Sequence, residues 1–405
     1  MTFRDEEESN EIAARVRNFI LESVVPFEGD SRIGAHGPNE SLVTELRELA
    51  RAAGVMTPHI LGSGEHLSQR GTAVVLNATG YSPLGSVACN TMAPDEGNMF
   101  LLGKVASAEQ KERFLAPMIA GKARSAFFMT EPAQENGAGS DPSMMITTCA
   151  RDGDHWVING KKNFITGVEG ASVGILMAKG EEGASMFLID LPNPAVKIVR
   201  ILDTIDRSMP GGHAQISIDN LRVPESHILG EPGKGFRYAQ TRLAPARLSH
   251  CMRWHGLAQR AQEDAIAYAC HRTAFGRQLI DHEGVGFMLA ENQIDLKQTE
   301  LMIQWCADAL DRGETGNIES SIAKVSASEA LFRVADRCVQ VMGGTGVSQD
   351  SIAEQLFREV RAFRIYDGPT EVHKWSLAKK IKKQFSSRDQ VGSAVASPKI
   401  GARIS

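Results

Sequence analysis

Chemistry in this chain is most concentrated between Arg361 and Lys374, which reads R-A-F-R-I-Y-D-G-P-T-E-V-H-K. An apolar, aromatic run ends at Asp367. Gly368, Pro369 and Thr370 then break the chain before a new helical pattern starts. A carboxylate on a turn between two helices can be aimed into a cavity without disturbing either helix, which makes Asp367 the candidate general base. Asp before Gly-Pro is also ordinary turn and helix-start chemistry, so the local sequence alone leaves both readings open. The aromatic neighbours Phe363 and Tyr366 predict a dry pocket that would raise the Asp367 pKa and make it a stronger base.

The elements that must carry such a turn follow from periodicity. Ile12, Val16, Phe19, Ile20 and Val24 have helical spacing, as do Leu42, Leu46 and Leu49 before a stop at Gly54. Buried helices are expected near 67–79 and 84–93. Ser107-Ala-Glu-Gln110 is a capping box opening a further helix. Nothing alternates with period two before about residue 120, so this part reads as all-helical. From Ala126 the pattern changes to short apolar runs separated by Gly, Pro, Asn and Asp. One of them, W-V-I-N-G-K-K-N-F-I-T-G, predicts a hairpin turning at Asn159-Gly160. The region 126–230 is expected to be a small all-β barrel or sandwich. Long helices return over 246–272, 285–312, 318–342, 348–360 and 371–384. In the second, Phe287, Leu289, Ile294, Leu296, Leu301, Ile303 and Leu310 recur among polar residues. Long helices with short loops imply an antiparallel bundle. The reading is α+β: a helical domain over 1–125, a central β-barrel or sandwich domain over 126–232, and an antiparallel four-helix bundle over 233–385. A loose tail follows over 386–405.

Bulk properties narrow the partners. The 405 residues are 42% hydrophobic and 23% charged, with a net charge of −5. That is an ordinary globular balance with no general reason to bind nucleic acid. No stretch reaches the length of a membrane span. The acidic N-terminus resembles neither a secretory signal nor an Arg-rich transit peptide, and a cytoplasmic location is expected. Six scattered cysteines form no C-x-x-C pair and read as small apolar residues in a reducing compartment. The eleven histidines show no metal-binding spacing, so no metal is expected.

Four stretches, in order, resemble the acyl-CoA dehydrogenase family: M-T-E-P…G-A-G-S-D (Met129 to Asp141), G-K-K-N-F-I-T (Gly160 to Thr166), H-R-T-A-F-G-R-Q-L (His271 to Leu279) and V-Q-V-M-G-G-T-G (Val339 to Gly346). R-L-S-H-C-M-R (Arg247 to Arg253) and D-G-P-x-E-V-H are similar to the subgroup of mammalian members ten and eleven. The resemblance implies an FAD-dependent dehydrogenation of an acyl-CoA to a trans-2-enoyl-CoA, with electrons passing to an electron-transfer flavoprotein. Asp367 falls where most of the family has its catalytic Glu. The alternative family position for the base is matched by Ala246, which cannot act. By the same analogy the Asp367 N–H and a ribityl hydroxyl of FAD hold the thioester oxygen. Phe127, Met129, Thr130, Gly139, Ser140, Phe164 and Thr166 are implied at the flavin, and Ser140, Arg247 and Gly368 at the acyl-CoA. Ala133-Gln134-Glu135-Asn136 lengthens the first of these motifs. Arg272, Phe275, Leu279 and His282, with Gln340, Gly343 and Gly344, resemble the residues that meet FAD between subunits, which implies a homodimer or homotetramer. G-G-T-G follows no strand and is not a Rossmann fingerprint. Two other readings stand beside this one: an oxidase of the same superfamily using O2, of acyl-CoA or nitroalkane type, and a non-catalytic helical assembly protein.

Overall fold

The computed structural model describes residues 3–61 and 65–392. Helices α1 (Phe3–Phe19), α2 (Glu40–Ala52), α3 (Gln69–Thr79), α4 (Gly85–Ala88), α5 (Asp95–Val105), α6 (Ala108–Gln110) and α7 (Ala116–Ile119) make up the N-terminal part. A two-residue antiparallel pair, β1 (Ile33–Gly34) and β2 (Gly37–Pro38), interrupts them. Local chemistry explains the ends. The Asn39 side chain accepts from the Leu42 N–H at 3.0 Å, and Gly54 leaves α2 with φ +67°. Ser107 and Gln110 form the expected reciprocal box, at 3.2 and 3.1 Å. The helix expected over 84–93 is a single turn, ending where Asn90 takes a left-handed backbone.

Seven strands follow: β3 (Ser125–Phe128), β4 (Thr148–Asp152), β5 (His155–Thr166), β6 (Val173–Gly180), β7 (Gly183–Asp190), β8 (Val196–Leu202) and β9 (His213–Pro224). They form one mixed sheet in the order β3-β6-β4-β5-β9-β8, with β7 on the other edge of β6. β6 and β7 are buried on both faces. Ile175, Met177, Met186 and Leu188 pack with Met99 and Leu102 of α5, while Leu176, Phe187 and Ile189 pack with Trp156, Ile158 and Ile216. That double burial is why these strands read as continuous apolar runs.

The Asn159-Gly160 hairpin is corrected. β5 runs straight through it, and the turn lies at Gly153, φ +63°, where Asp152 pairs with His155. Gly160 has a different task. A Cβ there would collide with the Thr147 backbone, and the β5–β9 register shifts between Ile158 and Gly160. The glycine serves a bulge and a close approach, not a turn.

The C-terminal part is α8 (Gly235–His271), a hairpin of β10 (Thr273–Ala274) and β11 (Arg277–Gln278), then α9 (Glu283–Asp311), α10 (Asn317–Met342), α11 (Ile352–Phe363) and α12 (Thr370–Gly392). α8 starts eleven residues before the expected 246, and Pro245 lies inside it. The expected tail is helical as far as Gly392, where S-S-R-D-Q-V-G continues α12, and residues 393–405 lie outside the described residues.

The N-terminal and C-terminal helices share one core. Val16, Ile20, Val75 and Leu76 pack with Leu257, Ala258, Ala261 and Leu331. α3 and α8 meet backbone to backbone: a Cβ on Gly80 would strike the Arg253 carbonyl, and one on Gly256 the Asn77 carbonyl. Two glycines at the crossing thus fix the height and rotation of α8, which carries most of the charged groups described next. Among the described residues no helix is long and apolar enough to cross a membrane, and no group of three or more His, Cys, Asp and Glu could hold a metal ion.

Candidate active site

Asp367 stands on the turn between α11 and α12 with φ +53°. Aspartate tolerates the left-handed region better than most residues, through its short polar side chain. The turn is held from three directions. Arg247 Nε donates to the Asp367 carbonyl at 3.0 Å, and His373 Nε2 lies 3.1 Å from the same oxygen. The fully buried Lys324 ammonium donates to the Gly368 carbonyl at 2.8 Å. Thr370 starts α12 and donates to Glu329 at 2.7 Å.

The carboxylate faces positive charge. His250 Nε2 lies 3.3 Å from Asp367 Oδ2, close enough for pairing but short of hydrogen-bond alignment, and Oδ2 is shut off from solvent. Arg242 and Arg247 add their fields from the same helix. Burial pushes the Asp367 pKa up, but His250, Arg242 and Arg247 outweigh it and hold the carboxyl well below the usual range. The expected rise is therefore corrected. The aromatic lining exists, with Tyr366 and Phe363 4.9 and 5.9 Å from the His250 ring, but the charges of Arg242 and Arg247 act on the carboxylate as well.

A second layer supports these groups. Arg242 Nε donates to Asn98 at 2.8 Å, and its guanidinium lies 4.2 Å above the Phe127 ring. Glu96, buried, accepts from Ser249 at 2.7 Å, and burial pushes its pKa up. Ala246, the other position considered for a base, is buried on the same helix face.

The sequence-predicted residues fall into two groups. Phe127, Met129, Thr130, Phe164 and Thr166 line the β3 and β5 end of the sheet. The Asn163 N–H donates to the Thr130 carbonyl at 2.8 Å, tying the two segments. Phe164 is 56% exposed with φ +55°. Thr166 Oγ1 lies 2.9 Å from His213 Nδ1, and His213 Nε2 lies 2.9 Å from Asp206. Gly139 and Ser140 are exposed in the loop that follows a short helical turn over Ala133–Glu135, where the extra residues are taken up.

The second group lies far from the first along α8. Arg272 is exposed and has no carboxylate partner among the described residues. Phe275 is 96% exposed at the hairpin tip, with φ +52° followed by Gly276 at +81°, a two-residue turn of the twisted kind that suits a hairpin. Leu279 and His282 are half-buried, and His282 Nε2 lies 3.1 Å from the Ala274 carbonyl. Gln340, Gly343 and Gly344 are exposed at the end of α10.

Backbone strain marks these places independently. Seven non-glycine residues among those described have positive φ, and three are asparagines, which accept it. Of the other four, Phe164, Phe275 and Asp367 are predicted site residues. Bulky residues held in this region are costly and collect at functional sites.

Sequence reasoning missed Arg242, His250, Arg253 and Lys324. The signal was present for three of them. Positions 242, 246, 250 and 253 share one helical face, so Ala246 already pointed to its neighbours one turn either side.

Family models match most of the chain: acyl-CoA dehydrogenase N-terminal domain over 6–122, middle domain over 126–220 and C-terminal domain over 233–382. Acyl-CoA dehydrogenase family member 11 of Gallus gallus is 33% identical over 408 residues, covering 94% of this chain and 52% of its own length. The chain thus spans about half of that relative. FadE2 of Mycobacterium tuberculosis, named as an acyl-CoA dehydrogenase, is 35% identical over 384 residues, covering 90% of this chain and 93% of its own. A Mycobacterium abscessus protein assigned to the acyl-CoA dehydrogenases has a solved structure with a TM-score of 0.84, at 34% identity, covering 95% of this chain and 99% of its own.

Proposed function

The chain belongs to the acyl-CoA dehydrogenase family, and from that premise we propose that it removes two hydrogens from an acyl-CoA thioester, with Asp367 as the base. The observation that carries the reading is a carboxylate on a left-handed turn, with His250 3.3 Å from it and the fields of Arg242 and Arg247 favouring its charge. An enzyme of this kind must keep its base ionised at neutral pH, and these fields favour that. The cost is lower proton affinity, which the acidity of the α-proton has to offset. Hydrogen bonds to the thioester oxygen raise that acidity by stabilising enolate-like charge. Among the described residues the Asp367 N–H donates to no backbone carbonyl, which leaves it for this purpose.

The β3–β5 face fits a flavin. Phe164 offers an exposed aromatic face, Thr166 a hydroxyl beside it, and the buried Asn163 Oδ1 lacks a partner. Met129, Thr130, Gly139 and Ser140 would hold its edge, and FAD, when bound, would accept the β-hydrogen as hydride. As the α C–H bond breaks, its proton goes to Asp367, and the Cα–Cβ bond becomes double. Ser140, Arg247 and Gly368 would meet the acyl-CoA. The partner is an electron-transfer flavoprotein.

A second copy is part of this reading. In α9 the apolar residues form two interleaved seven-residue series. Leu289, Leu296 and Ile303 are buried, while Phe287, Ile294 and Leu301 are exposed, with Trp305 beside them. A continuous apolar line on a charged helix suits a homo-oligomer. Arg272, Phe275, Leu279, His282, Gln340, Gly343 and Gly344 would then reach the cofactor of the neighbouring copy.

The test is anaerobic titration of the purified yellow protein with acyl-CoAs of different chain length and branching. Flavin bleaching supports the reading. A colourless protein, or a yellow one that no acyl-CoA bleaches, overturns it. Oxygen uptake matched to turnover would move the chain to the oxidase reading.

A further inference from the structure

We propose that His250 and Arg253 form a positioning pair that holds the Asp367 carboxylate, with Arg253 fixing the His250 tautomer and His250 holding Oδ2. The inference rests on the reading of Asp367 as base. Arg253 Nη2 lies 3.1 Å from His250 Nδ1. A guanidinium has no acceptor, so Nδ1 must be the bare nitrogen and the ring proton sits on Nε2. Nε2 is the atom 3.3 Å from Asp367 Oδ2. His250 is therefore not the base, because the nitrogen nearest the carboxylate already carries its hydrogen.

Arg253 is itself immobile. Its Nη1 donates to the Thr91 carbonyl at 2.8 Å, and Gly80 of α3 lies against its backbone. The His250 ring is flanked by Tyr366 and Phe363, and Trp254 Nε1 donates to the Tyr366 hydroxyl at 2.6 Å. Other titratable and charged groups face this cluster from every side: Glu96 from α5, Arg242, Arg247 and Cys251 from α8, Lys324 from α10, and His373 from α12. Burial and the arginines push the His250 pKa down, while Asp367 pulls it up. Oδ2 is thereby the held oxygen and Oδ1 the one left to receive a proton. A short Asp side chain on a left-handed turn needs such a hold, because two torsions alone would leave its carboxylate free to rotate.

Two measurements on the holoenzyme decide the matter. In long-range imidazole nitrogen spectra, His250, assigned by its loss in His250→Gln, is expected as neutral Nε2–H at pH 7. An Nδ1–H tautomer or an imidazolium there overturns the proposal. In rapid mixing with acyl-CoA, His250→Phe is expected to slow flavin reduction at saturation about 10–100-fold, with a much smaller change in KM, on losing a close polar contact to a charged group. It should also move the acid limb of the rate profile to higher pH, because the Asp367 anion loses a donor. His250→Gln, whose amide can still donate but cannot titrate, should recover most of the rate. A folded, yellow His250→Phe with unchanged rate and acid limb overturns the proposal. If wild-type protein is bleached by no acyl-CoA, the base reading fails and takes the pair's catalytic role with it, whichever tautomer is seen.

Discussion

The Asp367 turn and the tip of the β10–β11 hairpin are opposites joined by one helix. Around Asp367, Arg247, His250, Lys324 and His373 are turned inward, each with a partner in the same chain. At the hairpin, Arg272 and Phe275 are turned outward, Arg272 with no carboxylate partner among the described residues and Phe275 touching only the edge of the His282 ring. Both stretches carry strained backbone, so both hold residues in a fixed pose. From Arg247 to Arg272, α8 spans roughly 38 Å at 1.5 Å per residue. The hairpin of one copy is thus far from that copy's own carboxylate. One end is complete within the chain, and the other makes chemical sense against a second copy.

The contrast can be broken at either end. Asp367→Asn is expected to leave a folded, yellow protein whose bleaching by acyl-CoA falls by about 10²–10⁴ or more, the usual worth of a general base. Near wild-type bleaching would remove Asp367 from that role. Arg272→Ala should weaken FAD retention about 10–100-fold, as loss of a charged hydrogen bond implies. Flavin content unchanged after exhaustive dialysis would show that the hairpin does not meet the cofactor. Leu301→Asp should raise the dissociation constant of the oligomer at least about tenfold, since about 2 kcal/mol of apolar burial is lost per leucine. Unaltered sedimentation at low concentration would free α9 of that task.

The smallest expected effect sharpens the link between the sheet and the bundle. Glu359 of α11 is buried and accepts from the Arg207 N–H at 2.7 Å and the Ser208 hydroxyl at 2.8 Å. Burial pushes its pKa up to about 7. The folded form therefore binds a proton that the unfolded chain has lost above its ordinary carboxyl pKa. The stability this contributes is complete below about pH 4.5 and disappears as pH rises through 7, at no more than about 1.4 kcal/mol per pH unit. Urea midpoints at pH 5 and 8 should differ less in Glu359→Gln than in the wild-type chain. An equal difference would count against Glu359 as the titrating group.

Much of the architecture was legible because it depends on short-range chemistry. The Gly54 stop of α2, the Ser107 box and the switch to β-rich runs near residue 126 all come from a few neighbouring residues. The Asn159-Gly160 misreading shows the limit. That dipeptide favours a hairpin locally, but Thr147 approaches from the segment entering β4, and only the sheet reveals that the glycine is there to admit it. Asp367 was found from its turn, whereas its electrostatic setting was not. Arg242, His250 and Lys324 come from 43 to 125 positions away in sequence, and their convergence depends on how α8 and α10 pack. The outward series on α9 was visible as a pattern, but which of its two faces points inward is a tertiary fact.

The length of α8 has a genetic consequence. If each cofactor is served by the carboxylate of one chain and the hairpin of another, damage at the two ends is not shared equally between sites. A hybrid pair of an Asp367→Asn chain and an Arg272→Ala chain has one site with both lesions and one with neither. Two defective proteins, mixed during assembly, would give hybrids with up to half of the normal complement of intact sites, and a single polypeptide bearing both changes would give none.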